Sequence, residues 1–235
     1  GEFLNSVSGA KQTMSNLQVC LGLDASRLDL SAFGEASRII YRREGAVGPG
    51  GSSQPAWGKR ELDPSALAGG ELEVTLISAD DPTLAPEGGA VLVIRTAADY
   101  NHFTRFRPER GRRTPGYHEY KTRLGMALVK EASSMTPGLE DAILIMDVAT
   151  PLTFEERGGR SEGAVAGWSW DYHEGSADKA RELIRTPIEG LYMAGYQAYS
   201  MLSLGGIPSA MSSGLTAARY LLEGRGLHTA VKLNP

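Results

Sequence analysis

Two adjacent glycines precede a proline in Leu204-Gly205-Gly206-Ile207-Pro208, and a helical pattern runs on from Pro208 to Leu222. Glycine pairs let backbone approach a ligand closely, because no Cβ stands in the way. The free N–H groups and the positive end of the following helix then favour an anion or an electron-rich carbonyl. Pro208 suits the first helical turn, where its missing N–H costs nothing. In isolation, Gly-Gly-x-Pro more often marks a plain tight turn before a packed helix.

The other reactive residue types do not assemble. His102, His118, His173 and His228 are scattered, no pair has metal-ligand spacing, and no metal is expected. Glu119, beside His118, reads as a carboxylate favoured by a helix start rather than as a catalytic group. Cys20 falls in a strand pattern and reads as a small core residue rather than a nucleophile. Trp168 and Trp170, with Tyr172, could line a substrate, or could serve a core or a domain interface equally well. Arg105, Arg107, Arg110, Arg112 and Arg113 flank Phe103 and Phe106. That run could meet an anionic membrane surface, though a solvated loop face is the commoner use.

These residues need elements to position them. Leu17–Leu23 alternates apolar with small or polar residues, the period of a half-buried strand. Arg38–Arg42 is a second strand candidate. Residues 45–58 are rich in Gly, Pro and Ser and read as a surface loop. In Glu71–Ser78 the pattern predicts Leu72, Val74 and Leu76 on one face, with Glu73 and Thr75 on the other. A turn-rich stretch then leads to a strand at Val91–Arg95, and the two strands are expected to pair antiparallel.

From residue 116 the period changes. Tyr117, Tyr120, Leu124, Leu128 and Ala132 recur at helical spacing, with Lys121, Arg123 and Lys130 turned outward. Pro137-Gly138 ends this helix. Ala142–Val148 reads as a strand, after which Thr150–Phe154 turns the chain away. Residues 178–185 are expected to be helical, Leu191–Gly195 a short strand, and Pro208–Leu222 a final helix whose small residues permit close packing. Strands and helices do not alternate regularly, so the pattern predicts an α+β fold with a mixed or antiparallel sheet and flanking helices.

Composition bounds the function. The chain has 235 residues, a net charge of -4 and 41% hydrophobic residues, which excludes bulk disorder and gives no reason to expect a nucleic-acid partner. A single cysteine allows no internal disulfide. No apolar run approaches the roughly 20 residues of a membrane-spanning helix, and no signal-peptide pattern occurs, so an intracellular location, cytoplasmic or at a membrane periphery, is expected. Glycine is the one excess, with 29 residues against an average near 7%.

Four stretches together resemble the phytoene desaturase-like, FAD-dependent oxidoreductases, a group that includes carotenoid isomerases and retinol saturases and is related to the amine oxidases. Ser78-Ala-Asp-Asp-Pro-Thr-Leu-Ala-Pro-Glu-Gly88 is similar to that family's Ser-x-x-Asp-Pro-x-x-Ala-Pro-x-Gly segment. Tyr120-Lys121, with Leu128 and Pro137-Gly138-Leu139, resembles its helix and Pro-Gly-Leu turn. Ala149-Thr-Pro-Leu-Thr-Phe-Glu155, with Gly163 and Gly167-Trp168, resembles a third run. Tyr192-Met-Ala-Gly195, followed by Gly205-Gly-Ile-Pro-Ser-Ala-Met-Ser-Ser-Gly214, resembles its C-terminal flavin-contacting segment. The resemblance spans about residues 16 to 224, with the motifs in the family's order.

The resemblance implies FAD as cofactor, hydride exchange between flavin N5 and a C–C bond, and an apolar, possibly polyene, substrate. It implies that Gly195, Tyr196, Gly205, Gly206, Ile207 and Pro208 lie near the flavin, and allows Trp168 a place by the substrate. The position after Gly195 is commonly acidic or otherwise polar in such proteins. Here it is Tyr196, which can donate a hydrogen bond or simply pack. The family's Gly-x-Gly-x-x-Gly turn, which holds the dinucleotide phosphates, does not occur. Its nearest counterpart, Gly45-Ala-Val-Gly-Pro-Gly-Gly51, has proline where donors are needed.

The chain therefore reads as the C-terminal half of a flavoenzyme whose N-terminal FAD-binding half is a partner segment. Residues 1–15 read as a tag remnant and leader, 16–190 as a substrate-binding-type domain, and 191–235 as a strand-loop-helix completing the FAD-binding domain. The rival expectation is a flavin-free ligand-binding or assembly module, prone to self-association through surface the other half would cover.

Overall fold

The computed structural model describes residues 3–4, 11–12, 14–42, 71–107, 113–165, 168–169, 183–196, 198 and 206–224. In chain order the strands are β1 (Lys11–Gln12), β2 (Ser15–Asp24), β3 (Arg38–Arg42), β4 (Glu71–Leu76), β5 (Gly89–Ala98), β6 (Ile143–Ala149) and β7 (Trp168–Ser169). The helices are α1 (Ile77–Asp80), α2 (Tyr117–Ala132), α3 (Pro151–Gly158) and α4 (Gly206–Gly224). The expected loop at 45–58 lies outside the described residues, as does most of the helix expected at 178–185. The chain divides into two compact units, Met14–Gly163, and Gly1–Thr13 with Ala164–Pro235. The boundary drawn at 190/191 from the resemblance lies within the second of these.

The first unit is built on a five-stranded sheet in the order β3-β4-β5-β2-β6, antiparallel at every step, so the fold is α+β. β2 organises it. Leu17, Val19, Leu21 and Leu23 are at most 1% exposed, while the residues between them are half-exposed. The period-2 pattern is thus realised along all ten residues, which pair with β5 from Ser15↔Ala98 to Asp24↔Gly89. Leu72 and Val74 of β4 and Leu92 and Ile94 of β5 continue the same buried face, as expected for Leu72 and Val74. Each fully buried aliphatic side chain contributes about 1.5–3 kcal/mol.

α2 and α3 close that face. Tyr117, Tyr120, Leu124, Leu128 and Ala132 are all buried, as the helical spacing predicts. Gly125 lets the helix lie close, since a Cβ there would stand 2.6 Å from Val148 Cγ2. Lys121 is not turned outward, as its position on the pattern suggests. Its Nζ donates to Val148 O at 3.0 Å and to Asp147 Oδ1 at 3.3 Å. β6 is the edge strand of the sheet, and the long Lys121 side chain carries its ammonium there. Burial works to raise the Asp147 pKa, but Lys121 and the Val148 N–H outweigh it and hold the carboxyl below its usual value.

Two expectations about local structure are corrected. Thr150–Phe154 does not merely turn the chain but opens α3. Thr150 N donates to Thr153 Oγ1 at 3.2 Å, Thr153 N returns to Thr150 O at 2.8 Å, and Pro151 takes the first helical position. Threonine followed by proline is a helix-start signal as well as a turn signal. In the second unit, Leu191–Gly195 forms no strand but a single antiparallel bridge, Arg185↔Tyr192. Prolines and glycines on both sides leave too short a run to propagate a ladder. β1 and β7 pair there as a separate two-stranded ribbon.

The three described arginines of the basic run make local contacts, and Arg105 and Arg107 remain exposed. Arg105 stands 4.5 Å over the Phe106 ring and 4.8 Å over Tyr120, and Phe103 and Phe106 are buried. Arg113 pairs with Glu156 at 2.6 Å, and Arg107 with Glu155 at 3.2 Å. Arg110 and Arg112 lie outside the described residues. Tyr100 OH donates to the other Glu155 oxygen at 2.7 Å, so Glu155 clamps the 100–107 loop onto α3. Burial, and then the bond to the Glu155 carboxylate, push the Tyr100 pKa up to about 12.

Two outcomes follow from this packing. Gly163 has φ of 62°, and a Cβ there would stand 2.2 Å from Pro151 O, whereas Gly159, at 66°, has nothing within 4 Å. Gly159→Ala should cost about 1 kcal/mol for the left-handed backbone alone. Gly163→Ala should cost at least ~2 kcal/mol, because a backbone carbonyl must move as well; urea unfolding of both variants measures the difference. The raised Tyr100 pKa contributes stability that is complete below the unfolded value near 10 and is lost as pH rises through about 12. Denaturation of wild type and Tyr100→Phe should diverge less and less across that window, which would not occur if Glu155 left Tyr100 unperturbed.

Candidate functional site

In the second unit, the described residues expected to meet a cofactor are Gly195 and Tyr196 in an irregular segment and Gly206, Ile207 and Pro208 at the start of α4. Gly195 adopts φ of 108°, a conformation reserved for glycine. Its N–H donates to Ser213 Oγ at 2.8 Å, and that hydroxyl lies 3.0 Å from Gly195 O and 2.8 Å from Ala210 O, either of which can accept its proton. Ser213 is fully buried, so one hydroxyl on α4 fixes the loop. Tyr196 is half-buried next to it. Met193 N donates to Ile184 O at 2.9 Å, and Arg185 stacks 3.8 Å over Tyr220 while pairing with Glu223.

α4 begins at Gly206, with Pro208 in its first turn as the sequence predicts. Gly206, Ile207 and Pro208 are exposed, Ile207 at 77%. Among the described residues, nothing beyond its chain neighbours and its own helix backbone lies within 4 Å of the place a Gly206 Cβ would occupy. The first turn of a helix directs backbone N–H groups and the positive end of its dipole outward, a setting that favours negative charge. The phosphate half of a dinucleotide has no matching turn in the sequence. Gly205 lies outside the described residues. Trp168 supplies backbone to β7, and the substrate-wall expectation for it, Trp170 and Tyr172 lies outside them too, as do His173 and His228.

α4 is two-sided. Ser209 and Ser213 face inward, at 2% and 0% exposure, while Ile207, Met211 and Leu215 form an exposed apolar stripe at helical spacing. The small residues therefore do permit close packing, at one face.

The first unit holds a group that sequence reading missed. The sheet face opposite α2 and α3 carries a polar row set by register: Ile40↔Glu73, Glu73↔Arg95 and Arg95↔Gln18. Arg95 Nε donates to Gln18 Oε1 at 2.9 Å and its Nη1 to Glu73 Oε1 at 3.1 Å. Arg38 Nε reaches the same Glu73 oxygen at 3.6 Å. Gln18 Nε2 lies 3.2 Å from Cys20 Sγ. Cys20 thus stands on this half-exposed face rather than in the core. The only sequence signal was the alternation of Gln18, Glu73 and Arg95 with buried neighbours.

Among the described residues, no group of three or more His, Cys, Asp or Glu could hold a metal ion, and no helix is long and apolar enough to cross a membrane. No protein-family model matches the chain, and no curated protein matches it.

Truncating the fixing hydroxyl tests the loop assignment. Ser213→Ala leaves the Gly195 N–H without its acceptor and should destabilise the second unit by about 1–2 kcal/mol. Amide exchange at Gly195 should accelerate selectively, while exchange in β2 and β5 stays unchanged.

Proposed function

We propose that this chain is the C-terminal half of an FAD-dependent oxidoreductase that desaturates, saturates or isomerises C–C bonds of an apolar, possibly isoprenoid, substrate. The observation that carries the reading is the order of four motifs along one chain, from Ser78 to Gly214. Three of them have evident structural duties. Ser78 Oγ accepts from Val91 N, and Asp81 is held by the hydroxyl and N–H of Thr83, which lower its pKa. Lys121 ties α2 to β6, and Thr150 opens α3. Only the fourth, at Gly195 and Gly206–Gly214, bears directly on a cofactor.

FAD, when bound, supplies hydride exchange at its N5. This chain's part is to bind and orient. The N–H groups at the start of α4, with the helix dipole behind them, favour negative charge on the reduced ring. Gly206 brings no side chain into the approach, and Ser213 holds Gly195 and with it Tyr196 in place. The N-terminal half, with its phosphate-binding turn, supplies the remaining cofactor contacts. A second reading, an assembly module without flavin, is favoured by the exposed stripe of Ile207, Met211 and Leu215.

Visible absorbance separates the two. The purified chain mixed with FAD should lose the flavin on gel filtration, while the complete enzyme retains one FAD per chain. In the complete enzyme, Gly206→Trp should weaken flavin binding at least ~10-fold by filling the open approach. Unchanged flavin affinity in that variant would remove α4 from the cofactor site.

A further inference from the structure

The polar row on the open sheet face of the first unit contains two cations and one anion. Arg95 and Arg38 lean on the same carboxylate oxygen, Glu73 Oε1, at 3.1 and 3.6 Å. Among the described residues, two positive charges against one negative leave the cluster with one positive charge. Donor capacity gives the same result. A guanidinium has five N–H donors. Arg95 spends Nε on Gln18 and Nη1 on Glu73, and its Nη2 has no partner among the described residues.

The cluster is placed to make that charge felt. Its floor is Thr75 and Val93, each 7% exposed, and Thr75 Oγ1 lies 3.4 Å from Glu73 Oε1. The side chains of Glu73 and Arg95 are 27% and 37% exposed, partly out of water yet reachable from it. Ile40, beside Glu73 in register, is 53% exposed and gives the cluster an apolar margin. The other carboxylates of this face do not fill the place. Asp147 is bound by Lys121, and Glu71 has an interaction of its own.

We infer that Arg95, supported by Arg38, receives the carboxylate of a long-chain, apolar substrate on this sheet face, with Gln18 and Glu73 fixing the guanidinium plane. The substrate's apolar character rests on the function proposed above; the carboxylate does not. A planar, singly charged carboxylate matches the fork of a guanidinium and cancels the surplus charge. A phosphate dianion would leave an excess negative charge next to Glu73.

Fluorescence titration of the full chain with cis-parinaric acid, a conjugated long-chain carboxylate, and with its methyl ester tests this. The acid should bind about tenfold more tightly than the ester. Arg95→Gln should abolish that preference without weakening the ester. Glu73→Gln removes the competing anion and should tighten acid binding several-fold, an effect that a purely structural Arg95–Glu73 pair would not produce. Equal binding of acid and ester, binding of neither, or no gain in Glu73→Gln would overturn the inference, and Glu73→Gln remains decisive if Arg95→Gln fails to fold. Flavin retention is read separately. Its loss from the complete enzyme with acid preference intact would overturn the flavoenzyme reading and leave the carboxylate site standing.

Discussion

The layering of the first unit depends on the contact between α2 and the sheet. The helix can lie on β2 and β6 only because Gly125 presents no side chain to Val148 and Val19. That approach brings Leu124, Leu128 and Ala132 into a layer with Val19 and Leu21, all of them at most 1% exposed. It also sets the distance at which Lys121 reaches Val148 O, and at which Tyr117 OH meets Thr150 Oγ1, 2.7 Å away. α3 is therefore fastened at its N-cap, Thr150, by the helix packed beside it. A glycine that lowers the intrinsic stability of α2 is offset by the layer it permits.

How far these features could be read beforehand depended on whether their cause was local. β2, β3 and α2 were legible because alternation and helical spacing are written within one segment. α3 was missed because Thr150-Pro151 has two local meanings, and here the Thr150–Thr153 capping bonds realise the helical one. Lys121 was misplaced for a similar reason: the periodicity of one helix does not reveal that a neighbouring strand is an edge with carbonyls to satisfy. The Gln18–Arg95–Glu73–Arg38 row was out of reach altogether. Its members lie on four strands, and only the register of three ladders aligns them. At the C-terminal junction the helix and its proline were legible, whereas the role of Ser213 required knowing that Gly195 returns to it.

Charge in this chain follows a consistent division of labour. The arginines nearest the aromatic cluster are spent locally, on ring faces and on Glu155 and Glu156, where they tie loop to helix. The three described members of the basic run thus hold rings and carboxylates of their own unit while Arg105 and Arg107 keep an exposed side. The arginines of the sheet face are different, because two of them converge on one carboxylate and their surplus is left outward. Sequence counts of charge cannot distinguish these uses, since a count carries no information on which carboxylate or ring each guanidinium meets.

β6 ends the sheet with an irregularity of its own. Its pairing with β2 shifts between Gly22 and Leu23, and Leu144 and Ile145 at that point are 68% and 71% exposed. Two bare aliphatic side chains on a straight border strand would invite another molecule to add its own strand and continue the ladder. The extra residue bends the strand and throws donors and acceptors out of step, so an incoming chain finds no continuous row to copy. The bulge thereby works as a terminator of β-polymerisation, permitting an apolar rim where a regular strand would seed fibres.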